Sequence, residues 1–193
     1  MNSNAPQLTA EKLREAGIKA FENASELVRE ARLLYEHGCW SRAAFLCSIS
    51  GEELGKCFIT LSAVVNHRAG KFNEKRYGER FRAHKAKTGS LNFFEDSFVS
   101  SDEPIGTEEL AKVTKITEQI KLASLYCDYY GGKPFKPSEL IPEKLAAETL
   151  KLAEKRVDHF MKNVRPKFDH VFEIDPKEIT RLQDEILGTT ATS

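Results

Sequence analysis

The sequence has no net charge: lysine and arginine total 29, and aspartate and glutamate total 29. A protein that coats nucleic acid through its global field is thereby disfavoured, while a local basic patch stays open. Long apolar runs are missing. None approaches the ~20 residues needed to span a bilayer, and no basic-then-apolar signal peptide leads the chain. No membrane association is expected, and the cytoplasm is the expected location. Cysteine is scarce, and Cys39, Cys47, Cys57 and Cys127 contain no CxxC spacing. Small buried thiols in a reducing compartment fit them better than disulfides or zinc. Gly-rich phosphate loops, HExxH and GxSxG are all absent. So is Glu-x-x-His, which a di-iron bundle needs on two helices. Elimination leaves metal-free chemistry, with no cofactor.

What is present is helical periodicity. Thr9 is a good N-cap with Glu11 in the first turn. Leu13, Ala16, Ala20, Ala24, Leu27, Ala31 and Leu34 then recur at helical spacing up to His37, with Gly38 as the stop. A second helix is predicted from about Ser41 to Asn66. A charged third segment runs from Lys71 to about Lys87, where Thr88-Gly89-Ser90 interrupts it. Residues 92–98 are aromatic but short, and 100–106 read as a loop. A fourth helix is predicted from Thr107 to about Tyr130, stopped by Gly131-Gly132-Lys133-Pro134. A fifth begins at Pro142, and Pro166 should kink or end it. Asp175-Pro176 caps a last short helix. No run of strands is expected. The expected architecture is all-α: a single antiparallel bundle of about five helices over residues 1–193, with a core of about 10–173 and a C-terminal helix of about 175–187.

The second helix is unusual. At ~100° per residue, Trp40, Ala43, Cys47, Gly51, Leu54, Phe58, Leu61 and Val65 form one core stripe. Ala44, Ser48, Gly51 and Gly55 form a small-residue strip beside it. Two glycines inside a helix cost ~1 kcal/mol each relative to alanine, and close packing is the usual compensation. The opposite face is not a clean solvent face. Phe45, Ile49 and Ile59 interleave there with Arg42, Glu52, Glu53 and Lys56. Glu52 and Lys56 have the favourable Glu-before-Lys spacing of four. A helix that is apolar nearly all round belongs at the centre of a bundle. Charges there are costly unless paired, so the cluster is either a structural ion network or a site.

Arg68, Lys71, Lys75, Arg76, Arg80, Arg82, Lys85 and Lys87 crowd together, opposed by Glu74 and Glu79. On one continuous helix Arg80, His84 and Lys87 would share a face, with Arg82 and Lys85 off it. An imidazole among cations stays neutral more readily and can accept a proton beside a phosphate clamp. A solvated charged face is the plain alternative.

Five blocks together carry a resemblance. Residues 31–38 (ARLLYEHG) precede 41–46 (SRAAFL) and 52–56 (EELGK). His84-Lys85-Ala86-Lys87 and residues 121–128 (KLASLYCD) follow. Together, over about residues 20–130, they resemble the AbiV family of abortive-infection proteins, a HEPN-like branch of all-helical domains that commonly dimerise. The resemblance implies phage defence, with metal-independent RNA cleavage or RNA binding as the activity and RNA as a partner. It implies a homodimer, with a phage protein as activator or target. It points to Glu52, Glu53, Lys56, His84, Lys85 and Lys87 as the positions of a site; joined to the charged cluster and the basic segment, this makes Glu52, Glu53, Lys56, His84 and Lys87 the candidate catalytic residues and Arg80, Arg82 and Lys85 the candidate RNA-binding ones. Arg42, Lys121, Tyr126 and Asp128 would lie close by in support. The usual HEPN Arg-then-His signature is matched in spacing by Arg165 and His170, but Pro166 departs from the regular helix that motif occupies. The competing reading is a non-catalytic interaction protein that binds a phage or host protein.

Overall fold

The computed structural model describes residues 8–99, 107–130 and 132–186. The predicted loop at 100–106 and the C-terminal tail lie outside them. Among the described residues, five long helices are joined by four shorter ones. They are α1 (Ala10–Glu36), α2 (Trp40–Arg68), α3 (Glu74–Arg82), α4 (His84–Val99), α5 (Thr107–Leu125), α6 (Pro137–Leu140), α7 (Glu143–Asn163), α8 (Arg165–Glu173) and α9 (Pro176–Ile186). The all-α expectation therefore holds.

The Thr9 hydroxyl accepts from the Lys12 amide and starts α1. Gly38 turns the chain into α2 at φ 73°, a backbone region that glycine enters without strain. The three-residue connection makes α1 and α2 an antiparallel hairpin. α2 packs against every other described helix, as its all-round apolar pattern predicts. From Ser50 to Gly55 each of its residues is buried. Around it, Phe21, Leu54, Leu91, Phe160 and Phe168 form the central cluster, with Phe21 and Phe160 stacked at 4.9 Å. Cys47 and Cys57 are buried, and burial pushes both thiols up in pKa, Cys47 to about 12. Cys39 and Cys127 are exposed, contrary to the buried-thiol expectation.

Three boundaries differ from the sequence reading. The charged segment is not one helix. It breaks at Ala83, which is extended (φ −76°, ψ 118°), and α4 then runs straight through Thr88-Gly89-Ser90. The hydroxyls that suggested an interruption are satisfied without breaking the helix: Ser90 donates back to the Ala86 carbonyl, and Thr88 donates across to Glu118 on α5. The fourth predicted helix ends at Leu125. A small antiparallel hairpin follows, β1 (Asp128–Tyr130) with β2 (Lys133–Phe135), turning at Gly132 with φ 77°. Pro166 does mark a break, but α8 starts again at Arg165, where the missing proline N–H falls in the first turn and costs little. Among the described residues, no helix is long and apolar enough to cross a membrane.

Candidate functional site

The small-residue strip of α2 determines where α4 lies. A Cβ on Gly55 would run into the Lys87 carbonyl oxygen and sit 2.6 Å from its carbonyl carbon. Only a glycine lets the α4 backbone pass this close. Gly51 faces Leu91 one turn further along. This approach brings His84 and Lys87, one turn apart on α4, over Glu52.

Glu52 is then held by three donors from two helices. Lys121 of α5 donates to Oε1 at 2.6 Å, and Lys87 lies 2.7 Å from Oε2. The His84 Nδ1 also meets Oε2 at 2.7 Å. Lys121 is shared with Glu118 at 2.7 Å, and Glu118 in turn accepts from the Thr88 hydroxyl at 3.1 Å. Two carboxylates thus balance two ammonium groups, with the imidazole at the rim. The side chains of Glu52, Lys87 and Lys121 are 5%, 7% and 9% exposed, against 64% for His84. The Lys87 ammonium also lies 3.4 Å from Nδ1, but the shorter 2.7 Å contact is to a carboxylate, which can only accept, and it favours the proton on Nδ1. In the neutral ring that leaves Nε2 as the acceptor.

Burial alone would raise the Glu52 carboxyl above its ordinary 4.5. The hydrogen bonds from Lys121, Lys87 and His84 more than offset this and hold it at about 2. Burial likewise pushes Lys121 down, but its bonds to Glu118 and Glu52 leave it raised. Because the folded carboxyl is the stronger acid, the unfolded chain takes up this proton first on acidification. The stabilisation is complete above about pH 4.5 and is lost as the pH falls toward 2. It amounts to about 3 kcal/mol. Urea-unfolding midpoints between pH 5 and 2.5 are expected to fall for the native protein, with a flatter acid limb for Glu52→Gln. Identical limbs would contradict the depressed carboxyl.

The predicted Glu52–Lys56 pair does not form. With α4 and α5 covering Glu52, Lys56 turns to Glu53 at 2.6 Å and lies over the Phe81 ring at 5.3 Å. Lys56 therefore links α2 to α3 through Phe81, with Glu53 holding its ammonium from the same helix, beside the Glu52 cluster rather than in it. Nor do Arg80, His84 and Lys87 share one helical face, because the elbow at Ala83 separates them. Arg80 reaches α4 instead by donating to Ser90 at 3.3 Å. Arg82 and Lys85 are exposed on either side of the elbow.

Among the supporting residues, Lys121 proves to be a direct partner of Glu52. Arg42 donates to the Leu125 carbonyl at 3.1 Å and so closes the end of α5. Tyr126 and Asp128 are exposed just beyond α5. Asp128 accepts from the Tyr129 amide, and among the described residues neither side chain bonds to the cluster. Arg165 pairs with Asp169, and His170 with Glu173, on their own helix. Glu118 and Thr88 were not picked out from the sequence. Their signal was present, since Glu118 lies three residues before Lys121 on a helix, but nothing marked which way that pair faced.

A family model described as AbiV (HEPN_AbiV) matches residues 12–158. The chain belongs to the AbiV family. It is accordingly an abortive-infection, HEPN-like protein. No curated protein and no solved structure matches it significantly. The AbiV match contains the whole Glu52 cluster, from Glu52 through His84 and Lys87 to Glu118 and Lys121, whereas Arg165 and His170 fall beyond its end.

Proposed function

We propose that this AbiV protein is a metal-independent endoribonuclease whose base is His84. The observation that carries the reading is the Glu52–His84 contact: a buried carboxylate fixes one ring nitrogen, and the exposed ring offers the other to a substrate. In this arrangement Nε2 takes the proton of a ribose 2′-hydroxyl. The 2′-oxygen attacks the adjacent phosphorus, the P–O5′ bond breaks, and the leaving 5′-oxygen takes a proton from water. The products are a 2′,3′-cyclic phosphate and a free 5′-hydroxyl. Glu52 acts by orienting the ring and stabilising its charged form, as the carboxylate of a catalytic triad does. Lys87 and Lys121 are engaged with Glu52 and are positioning residues. The exposed Lys85 and Arg82, together with Arg80, supply charge for the phosphate backbone. Lys56, held by Glu53, lies over Phe81 at the end of α3 that carries Arg80 and Arg82. Both oxygens of Glu52 already face cations, which works against a divalent metal at this point. The proposed context is cytoplasmic RNA during phage infection, with two copies of the chain facing their α3–α4 elbows into one groove.

The test is incubation of the purified protein with mixed cellular RNA in EDTA, with oligomeric state measured in parallel. Native protein should cleave and leave cyclic-phosphate ends. His84→Ala, shown to fold and associate normally, should not. Cleavage retained in His84→Ala moves the chemistry elsewhere. RNA left intact by the native protein favours the alternative, in which the protein acts by binding a phage or host protein.

A further inference from the structure

A second feature lies outside the Glu52 cluster. The faces of α2 and α3 that meet beyond the elbow enclose a cleft of about 230 Å³. Lys71, Arg76 and Arg80 line it, with Phe72 and Tyr77 between them. Among the described residues, no carboxylate lines it. The acids of α3, Glu74 and Glu79, line a separate groove beside α1, together with Lys75 and Arg82. The charge segregation follows from helical spacing: Asn73, Arg76, Tyr77 and Arg80 fall on one face of α3. The rings are part of a longer row. His67 and Phe72 lie 5.4 Å apart, Phe72 and Tyr77 6.0 Å, and Tyr77 and Phe81 5.4 Å. Tyr77 is fixed by its hydroxyl contact with Thr60 at 3.3 Å.

Cations beside a row of rings are the means by which proteins hold single-stranded nucleic acid: charge tracks the phosphates, and rings accept the bases. We propose that the α2–α3 cleft is a nucleotide subsite, taking one phosphate between Lys71, Arg76 and Arg80 and its base against Phe72. At about 230 Å³ the cleft is smaller than the ~300–1,000 Å³ of a site that buries a whole small molecule, so the nucleotide would be held partly outside it, as one unit of a longer strand is. Arg80 joins it to the catalytic side, because it lines the cleft and its guanidinium reaches Ser90 on α4. A strand lying in the cleft is thereby led toward His84. This rests on the ribonuclease reading for its substrate, an RNA strand rather than a free nucleotide.

The test uses the full chain carrying His84→Ala, so that RNA is bound and not cut. The probes are a fluorescent 12-nucleotide single-stranded RNA and, separately, AMP. Lys71 and Arg76 are exposed, so Lys71→Ala/Arg76→Ala should fold normally, which circular dichroism checks. That variant should bind the RNA at least about tenfold more weakly. Its salt dependence should flatten, since the logarithmic slope drops by ~0.7 for each phosphate that is no longer neutralised. Phe72→Leu, which keeps an apolar residue but removes the ring, should weaken binding about fivefold or more. RNA binding unchanged in both variants overturns the subsite while leaving the ribonuclease reading intact. AMP binding that is lost in the variants, with no RNA binding by the parent, supports the subsite and removes RNA as its source. Binding of neither probe overturns both.

Discussion

Replacing Glu52 with alanine will destabilise the protein by about 3–5 kcal/mol and will abolish any cleavage that depends on His84. The size follows from what is left behind. Lys121 keeps Glu118 as a partner, but Lys87 loses the carboxylate 2.7 Å away and remains 7% exposed. Breaking a buried pair by removing one member costs this much because the other charge stays in a poor solvent. Urea titration at neutral pH reads the loss directly. A change below ~1 kcal/mol would mean that Lys87 escapes to water, and that the cluster does not hold α4 in place. A second variant separates stability from chemistry. Glu52→Leu combined with Lys87→Met replaces the pair by apolar groups of similar bulk, which is often neutral in stability. It should recover much of the lost stability and none of the cleavage, because the His84 ring still lacks its carboxylate. Recovery of both would reduce the cluster to a structural ion network.

Gly55→Ala should be nearly as damaging, for a different reason. The added methyl group meets the Lys87 backbone, not a side chain that can swing away. Overpacking of this kind costs about 1–3 kcal/mol, and more when neither backbone can yield. It outweighs the ~1 kcal/mol that alanine gains over glycine in a helix. Because α4 has to move outward, His84 also leaves Glu52. The expected result is a net loss of about 2 kcal/mol, a melting temperature lower by about 4–8 °C, together with loss of cleavage. Gly89→Ala is the internal control. That glycine lies in α4 with nothing within 4 Å of an added Cβ, so the same substitution there should stabilise by up to ~1 kcal/mol. If both variants behave alike, close helix approach is not what requires Gly55.

The contrast between these glycines also shows what a reader of the sequence alone can and cannot see. The period of α2 shows that it is buried all round, and its strip of small residues shows that a helix must come close. Thr9, Gly38 and Pro176 mark their boundaries through local chemistry, and the structure places them accordingly. Periodicity does not say which helix fills the strip. The partner of Glu52 could not be read for that reason. Spacing on α2 favours Lys56, but spacing describes an isolated helix, and here two other helices arrive with better-placed ammonium groups. The elbow at Ala83 was hidden for a related reason. Nothing in Arg82-Ala83-His84 resists helix formation, so the break belongs to packing, whereas Thr88-Gly89-Ser90 looks like a breaker and is not one. The hairpin after α5 is too short to carry a period of two. His84 and Glu52 were both visible as candidates, and their meeting was not.

The central place of α2 has a consequence for motion. Proteins open locally where few apolar contacts hold a segment, and a helix that touches all the other described helices has no such segment along its buried middle. Its amides open with the whole fold or scarcely at all. Glu52 is therefore not a residue that a partner can disarm by melting its own helix. His84 differs, because it opens α4 immediately after the exposed, extended Ala83. The two halves of one hydrogen bond thus belong to parts of the molecule with different freedom. A modest shift of the elbow is enough to part them while the fold stays intact.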